Sequence, residues 1–465
     1  MNLQVFTKWY AKYVLFALCC IILLVVPLIK GPLIGSEPLL YFRLAQDPSW
    51  YDTLSSGGQF AAYQWGTALA LYIAPGIFIQ ILPFLLGILS FLILWKILHS
   101  NSEDLIFVNL SLLLFILSPA FIYTFSFTNS LFIACFLSIA AFYFYTSKKR
   151  RWISIPIVMI IPLFNIILSC AFMFILFFYS FFWKKERKKL FFINLFCTVL
   201  VAGIYYGYIL FHTGLPKQLI LETANQFQFS QKIFFDLGSP YGIGVFISIL
   251  ACIGLAILWE KKYAHLFFFL STTFLLLFSL IRSESLLFLS IFLVLFAAKG
   301  LLTLFNIQWS NIQYKHFFIL LIFSGLVFSS ISQMDHLIES APDNAILEGL
   351  YFLAEQENGV VFTDYSRGIW IEASGHTSVL DENYLFVPDA EQRFADSREL
   401  YFSRDLEQTQ ALFDKYEISY VWIDSEMKQR IWNYDTEGLL FILQYTKDYE
   451  QIYSKGGVEI WSVKS

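Results

Sequence analysis

KGPLIGSEPLLYFRLAQDPSWYDTLSSGGQFAAYQWG, Lys30 to Gly66, is a polar, aromatic and Gly-rich stretch in a chain that is otherwise apolar over about its first 330 residues. Connections between helices are usually a few residues long, and long ones tend to bind or catalyse. This one carries Glu37, Asp47 and Asp52, three of the few acids in the apolar part, with Arg43 between the first two. It reads as half of an active site on the outer face of a membrane enzyme.

The rest of the chain fits that setting. Hydrophobic residues make up 58% of it and charged residues 14%, with a mean hydropathy of +0.63, as in polytopic membrane proteins. Up to Met334 there are 21 Lys and Arg against 10 Asp and Glu, whereas from Asp335 onward there are 10 against 25. The two regions therefore meet different solvents. All six cysteines fall in apolar runs, which argues against disulfides and cysteine metal sites, and no histidine pair has the spacing of a zinc hydrolase.

Apolar runs long enough to cross ~30 Å of hydrocarbon recur down the chain. They are expected near Tyr13 to Ile29, Gly76 to Leu98, Leu105 to Tyr123, Ser130 to Tyr145, as a pair within Trp152 to Trp183, Leu190 to Phe211, Ile243 to Trp259, Ala264 to Ile281, Ser285 to Phe305 and Phe317 to Ser332. That makes about eleven crossings, with Pro156 and Pro162 leaving a re-entrant hairpin open for the pair. The first run follows Lys8 and Lys12 and is expected to be an uncleaved span. The basic runs Lys148 to Arg151 and Lys184 to Lys189 set orientation, which puts the N-terminus inside and the loops 30–66 and 212–242 outside. The fold class is thus a polytopic α-helical membrane protein, residues 1–334, followed by an extracytoplasmic α/β domain, residues 335–465. In that tail the patterns predict helices at Asn344 to Glu357 and Leu406 to Tyr416, and strands at Val360 to Asp364, Ile418 to Ile423 and Val458 to Val463.

The outward acids Glu37, Asp47, Asp52, Glu222, Asp236 and Glu284, with Lys30, Arg43, Lys217, Lys232 and Arg282, suit a substrate with a phosphate leaving group and a lipid tail. Carboxylates would hold a divalent cation or act as base, and arginines would grip phosphate.

Glu37-Pro-Leu-Leu-Tyr-Phe-Arg43 resembles the D-P-x-x-x-x-R stretch in the first outer loop of the oligosaccharyltransferase catalytic subunit family, in the archaeal type, within the GT-C class of polyprenyl-phosphate-sugar glycosyltransferases. Leu219-Ile220-Leu221-Glu222 is similar to that family's T-I-x-E motif. Arg282 sits where the family carries an arginine, and Thr363-Asp364-Tyr365-Ser366-Arg367-Gly368 stands in the place of W-W-D-Y-G. The chain departs from the family in having one acid in the first motif, Phe127-Thr128-Asn129-Ser130 where a second acidic motif belongs, and no tryptophans in the tail motif.

The resemblance implies a transferase that takes a sugar or oligosaccharide from a polyprenyl (pyro)phosphate and gives it to a protein or glycolipid at the outer face of the cell membrane. Glu37 and Asp52 would be the catalytic carboxylates, and Glu37 and Glu222 the ligands of a divalent cation, Mg or Mn. Arg43 and Arg282 would contact phosphate, with Asp364 and Tyr365 also binding substrate. No nucleic-acid partner is expected. Two other readings stay open: a monosaccharide transferase using a polyprenyl monophosphate, as protein mannosyltransferases and aminoarabinose transferases do, and a non-catalytic relative acting as scaffold or carrier.

Overall fold

The computed structural model describes residues 10–31, 33–46, 49–60, 65–73, 77–213, 242–384, 387, 389–434 and 436–464. The chain forms two compact units, one of Met1–Ile34, Ala74–Tyr208 and Leu219–Ser340, the other of Gly35–Ile73, Ile209–Gln218 and Ala341–Ser465.

The first unit is a bundle of apolar helices. Among the described residues, six helices are long and apolar enough to cross a membrane, or seven if Leu105–Ile116 and Pro119–Phe125, bent by 61°, make one span. Four shorter apolar helices, Phe132–Thr146, Arg151–Phe164, Val245–Trp259 and Leu266–Ile281, lie in segments where full crossings were expected. At ~1.5 Å per residue, a helix of this length falls short of ~30 Å of hydrocarbon. Local chemistry explains two of the interruptions. Ser118 accepts from the Phe121 amide and Pro119 starts the next helix, the usual grammar of a helix start, so the run bends there. Asn165, extended at φ −160°, follows the helix Ser154–Phe164 and caps Ile166–Phe178 by accepting from the Leu168 amide. The segment 152–183 is thus two helices joined by one residue.

The helix Leu286–Asn306 runs through the middle of this unit, and it is the most buried of the candidate spans. It packs against Val245–Trp259 at backbone range: a Cβ on Gly254 would stand 1.9 Å from the Phe296 carbonyl oxygen, and one on Gly300 2.3 Å from that of Leu250. Lipid tails are as apolar as leucine, so helices in a bilayer associate through such close packing of small residues.

Asn129 fastens the loop after the bent pair. Its Nδ2 donates towards the carbonyls of Tyr123, Thr124 and Phe127, each at 3.1 Å, while Oδ1 accepts from the amides of Leu131 and Phe132 at 2.8 and 3.1 Å. A carboxylate cannot donate. The amide where the family resemblance called for an acid is therefore the residue this loop requires.

The second unit carries a five-stranded sheet in the order β4-β3-β5-β7-β6. The strands are β3 Val360–Phe362, β4 Thr377–Ser378, β5 Ile418–Ile423, β6 Tyr449–Lys455 and β7 Val458–Val463, preceded in the chain by the hairpin of β1 Tyr51–Asp52 and β2 Gln59–Phe60. β4, β3 and β5 are parallel, and β5, β7 and β6 antiparallel. Val361, Phe362, Val421, Ile423 and Ile460 fill its interior. The helix Leu406–Tyr416 and the strands β5 and β7 match the sequence patterns to the residue. The sequence reading lacked β6 and the helices Gly368–Ala373, Ala390–Phe402, Ser425–Ile431 and Leu439–Tyr445.

Two substitutions test this packing. Asn129→Asp keeps the acceptor and removes the donor, so the purified protein should lose ~1–3 kcal/mol of stability in thermal or denaturant unfolding. Gly300→Val forces the central helix pair apart and should lower the midpoint further, whereas Gly203→Val, at a site where a Cβ meets nothing within 4 Å, should not.

Candidate active site

The loop 35–73 belongs to the same unit as the tail, and a charged cluster joins the two. Its first element is the helix Glu37–Gln46, which buries Leu39, Leu40, Tyr41 and Leu44. On the remaining face Arg43 reaches two carboxylates from different parts of the chain. Its Nη1 and Nη2 lie 2.5 and 2.7 Å from the two oxygens of Asp52, and Nη2 is 2.7 Å from Oε2 of Glu372. The Arg43 side chain is 13% exposed, that of Asp52 2% and that of Glu372 0%. This is a desolvated bridge and not a surface ion pair.

More acids line the same place. Oε1 of Glu372 accepts from Ser378 Oγ at 2.6 Å. Asp381 accepts from Ser55 Oγ and from the Asn383 amide. Glu382 accepts from Ser36 Oγ at 2.5 Å, next to Glu37 in the chain. The Leu54 carbonyl accepts from the Ser378 amide at 3.1 Å, so the backbone also tethers the loop to β4.

One guanidinium faces three buried acids, Asp52, Glu372 and Asp381. Burial, then the neighbouring Asp381 charge, pushes the Glu372 carboxyl well above its usual range, against the pull of Arg43. Burial raises Asp381 and Glu382 as well, the latter against the Ser36 bond that favours its charged form.

The turn Asp364 to Gly368 is built as firmly. Asp364 accepts from the amide and hydroxyl of Ser366 and pairs with Arg430 at 2.5 Å. Arg367 pairs with Asp424 at 2.7 Å and with Glu426, and lies 4.4 Å above the Trp370 ring. A Cβ on Gly368 would stand 2.4 Å from the Leu380 carbonyl oxygen, which is why glycine ends this turn. Tyr365 packs its ring against Tyr384 and Phe394. Glu382 links the two clusters, since it feels the charges of Asp381, Arg367 and Asp364. Asp364, Asp381 and Asp424 follow β3, β4 and β5, so the site sits at the carboxyl ends of the parallel strands, where open α/β sheets place their ligands.

Of the residues singled out in the sequence, Arg43, Asp52, Asp364 and Tyr365 belong to this unit, and Glu37 opens its first helix. Asp52 has both oxygens engaged by Arg43. Arg282 caps the helix Leu266–Ile281 in the other unit. Asp47, Lys217, Glu222, Lys232 and Asp236 lie outside the described residues. The sequence reading missed Glu372, Asp381 and Glu382. An acid inside the apolar run Gly368-Ile-Trp-Ile-Glu372-Ala, and two acids directly after the Val379-Leu380 pair, were the available signals. Among the described residues no three Asp, Glu, His or Cys side chains form a group that could hold a metal ion, and Asp52, Glu372 and Asp381 already have their oxygens bonded. Asp52, Glu372 and Asp381 therefore do not fit a cation site.

No protein-family model and no curated protein matches the sequence. Among solved structures, the chain is similar to the oligosaccharyltransferase of Archaeoglobus fulgidus tethered to an acceptor peptide containing the NVT sequon, at 13% identity and a TM-score of 0.61 over 99% of this chain and 75% of that one. The same organism's oligosaccharyltransferase AglB in complex with an inhibitory peptide and a dolichol-phosphate gives 12% and 0.59, over 98% and 75%. ArnT from Cupriavidus metallidurans bound to undecaprenyl phosphate gives 10% and 0.55, over 98% of each chain. The fold is that of the GT-C glycosyltransferases.

Removing the cation of a buried pair leaves bare charges, so Arg43→Leu should cost ~3–5 kcal/mol in unfolding measurements and expose the 35–73 loop to protease. The raised Glu372 value means that its contribution is full below the ordinary value of 4.5 and is lost as pH rises through the higher folded value. Thermal unfolding followed from pH 5 to 8 should therefore show stability falling with pH, and Glu372→Gln should flatten that slope.

Proposed function

We propose that this chain, with its GT-C fold, is a membrane glycosyltransferase that moves a sugar or oligosaccharide from a polyprenyl (pyro)phosphate to a protein or glycolipid acceptor at the outer face of the membrane. The observation that carries this reading is the clamp of Arg43, Asp52 and Glu372, which fixes the acid-bearing helix Glu37–Gln46 to the tail sheet beside the carboxyl ends of its parallel strands. The solved structures of similar fold lend support, since AglB is in complex with a dolichol-phosphate and ArnT is bound to undecaprenyl phosphate. In this reading the N-terminus is cytoplasmic and the tail extracytoplasmic, as the basic runs suggest.

The donor leaves as a phosphate, so catalysis needs positioning, charge neutralisation and one base. Glu37 is the carboxylate proposed to take the acceptor proton. Asp52 holds Arg43 in place, and Arg43 holds the loop. Arg282 is the proposed phosphate contact, and Asp364 and Tyr365 form the acceptor side. Glu37 and Glu222 are the residues proposed to hold a divalent cation, and no step here depends on it.

A second reading, transfer of one sugar from a polyprenyl monophosphate, is favoured by two observations. The likeness to ArnT spans 98% of each chain, and Asn129 is committed to its loop where the oligosaccharyltransferase motif would supply an acid. Membranes containing the protein, incubated with radiolabelled polyprenyl-phosphate sugar or with the pyrophosphate-linked glycan, separate the two by which label is transferred. Glu37→Gln should cut turnover by ~10²–10⁴-fold. Unchanged turnover in that variant, or no transfer from either donor, would rule out the assignment of Glu37 or the enzyme itself, respectively.

A further inference from the structure

The helical unit contains a cleft of about 700 Å³ whose lining is mostly apolar. Such a volume is in the range of small-ligand sites, ~300–1,000 Å³. It lies among the carboxyl ends of Ile77–Asn101 and Phe132–Thr146, the loop 259–265 and the last turns of Leu286–Asn306. These are the helix ends that carry the basic runs and the tryptophans Trp95, Trp183 and Trp259, the signature of headgroup depth.

The cleft has a polar mouth and a greasy floor. Along the helix Leu286–Asn306 it extends from Lys299 back to Phe288, about 16 Å at helical rise, and Phe172 and Ile139 close it from other helices. At the mouth stand Lys261, Lys299 and His265 with the acids Glu260 and Asp104. Asp104 is spent on its own helix, accepting from the Ile106 and Phe107 amides. Lys261 and Lys299 both act on His265, whose pKa burial, and then these cations, lower. His265 begins the helix Leu266–Ile281 without a side-chain cap, and this start, with Phe267 and Phe268, lines the cleft. The charges of Lys261 and Lys299 converge on His265, and with the uncapped helix start they make that side of the mouth favour an anion.

We propose that this cleft holds a chain of an anionic membrane phospholipid, with the phosphate between Lys261 and Lys299 and the tail along Phe288 and Phe172. The phospholipid is chosen over other phosphate compounds because the mouth lies at headgroup depth, where the lipid of that leaflet is already concentrated. The site is separate from the transferase reaction and stands whichever donor is used.

The test is native mass spectrometry of the full-length protein from nanodiscs of phosphatidylglycerol and phosphatidylcholine mixed equally. Phosphatidylglycerol should be retained preferentially. Each basic side chain near headgroups is worth about five-fold in affinity, so Lys261→Gln with Lys299→Gln should weaken retention roughly thirty-fold. Leu295→Trp, which fills the cleft and keeps the charges, should abolish it, and an unchanged thermal midpoint would show that both proteins are folded. Equal retention of the neutral lipid, retention indifferent to both variants, or displacement by millimolar inorganic phosphate or by polyprenyl phosphate at a stoichiometric dose would overturn the proposal.

Discussion

Arg43 sets the terms for the second unit. Its guanidinium spans Asp52, nine residues away in the chain, and Glu372, 329 residues away, so one side chain closes both a short and a very long loop. Burying it costs solvation of every charge involved, and a well-packed apolar pair of similar volume would often be as stable or more so. What a charged clamp adds is register. The fork of Arg matches a carboxylate edge-on at two points, and only one placement of the helix Glu37–Gln46 satisfies both acids. The hydroxyls of Ser36, Ser55 and Ser378 then fill further oxygens of the acids around it.

The sheet explains why these groups meet. Parallel strands end on the same side, and the residues following β3, β4 and β5 are Asp364, Asp381 and Asp424 within a few positions of each end. Each acid is used differently. Asp424 caps a helix and holds Arg367, Asp364 ties its own turn and Arg430, and Asp381 receives the loop. The turn Asp364 to Gly368 is consequently held at several points along its length.

The legibility of the sequence followed the range of the forces involved. Apolar runs and short periodic stretches are local, so the membrane helices, the helix Leu406–Tyr416 and the strands β5 and β7 could be read directly. β6 could not, because Tyr449–Lys455 is an edge strand with mostly exposed polar side chains and little alternation. Hydropathy does not register Ser118-Pro119 or Asn165, where a side chain caps a new helix inside a greasy run. At the site, Arg43, Asp52 and Asp364 stood out as charges in unusual settings. Glu372 did not, since an acid on a short helix reads as solvated until the fold brings an arginine from another part of the chain. Asn129 was noted as an absent carboxylate, and only its five hydrogen bonds show what an amide does there.

The contact at Gly254 and Gly300 constrains how the helical unit can move. Two helices that touch through backbone atoms have no side-chain layer to slide on, so they travel as one rigid strut. Any rearrangement within this unit then falls to the joints around it, the 61° elbow at Ser118 and the single-residue link at Asn165. The bundle is in this sense a fixed mast with two hinged spars.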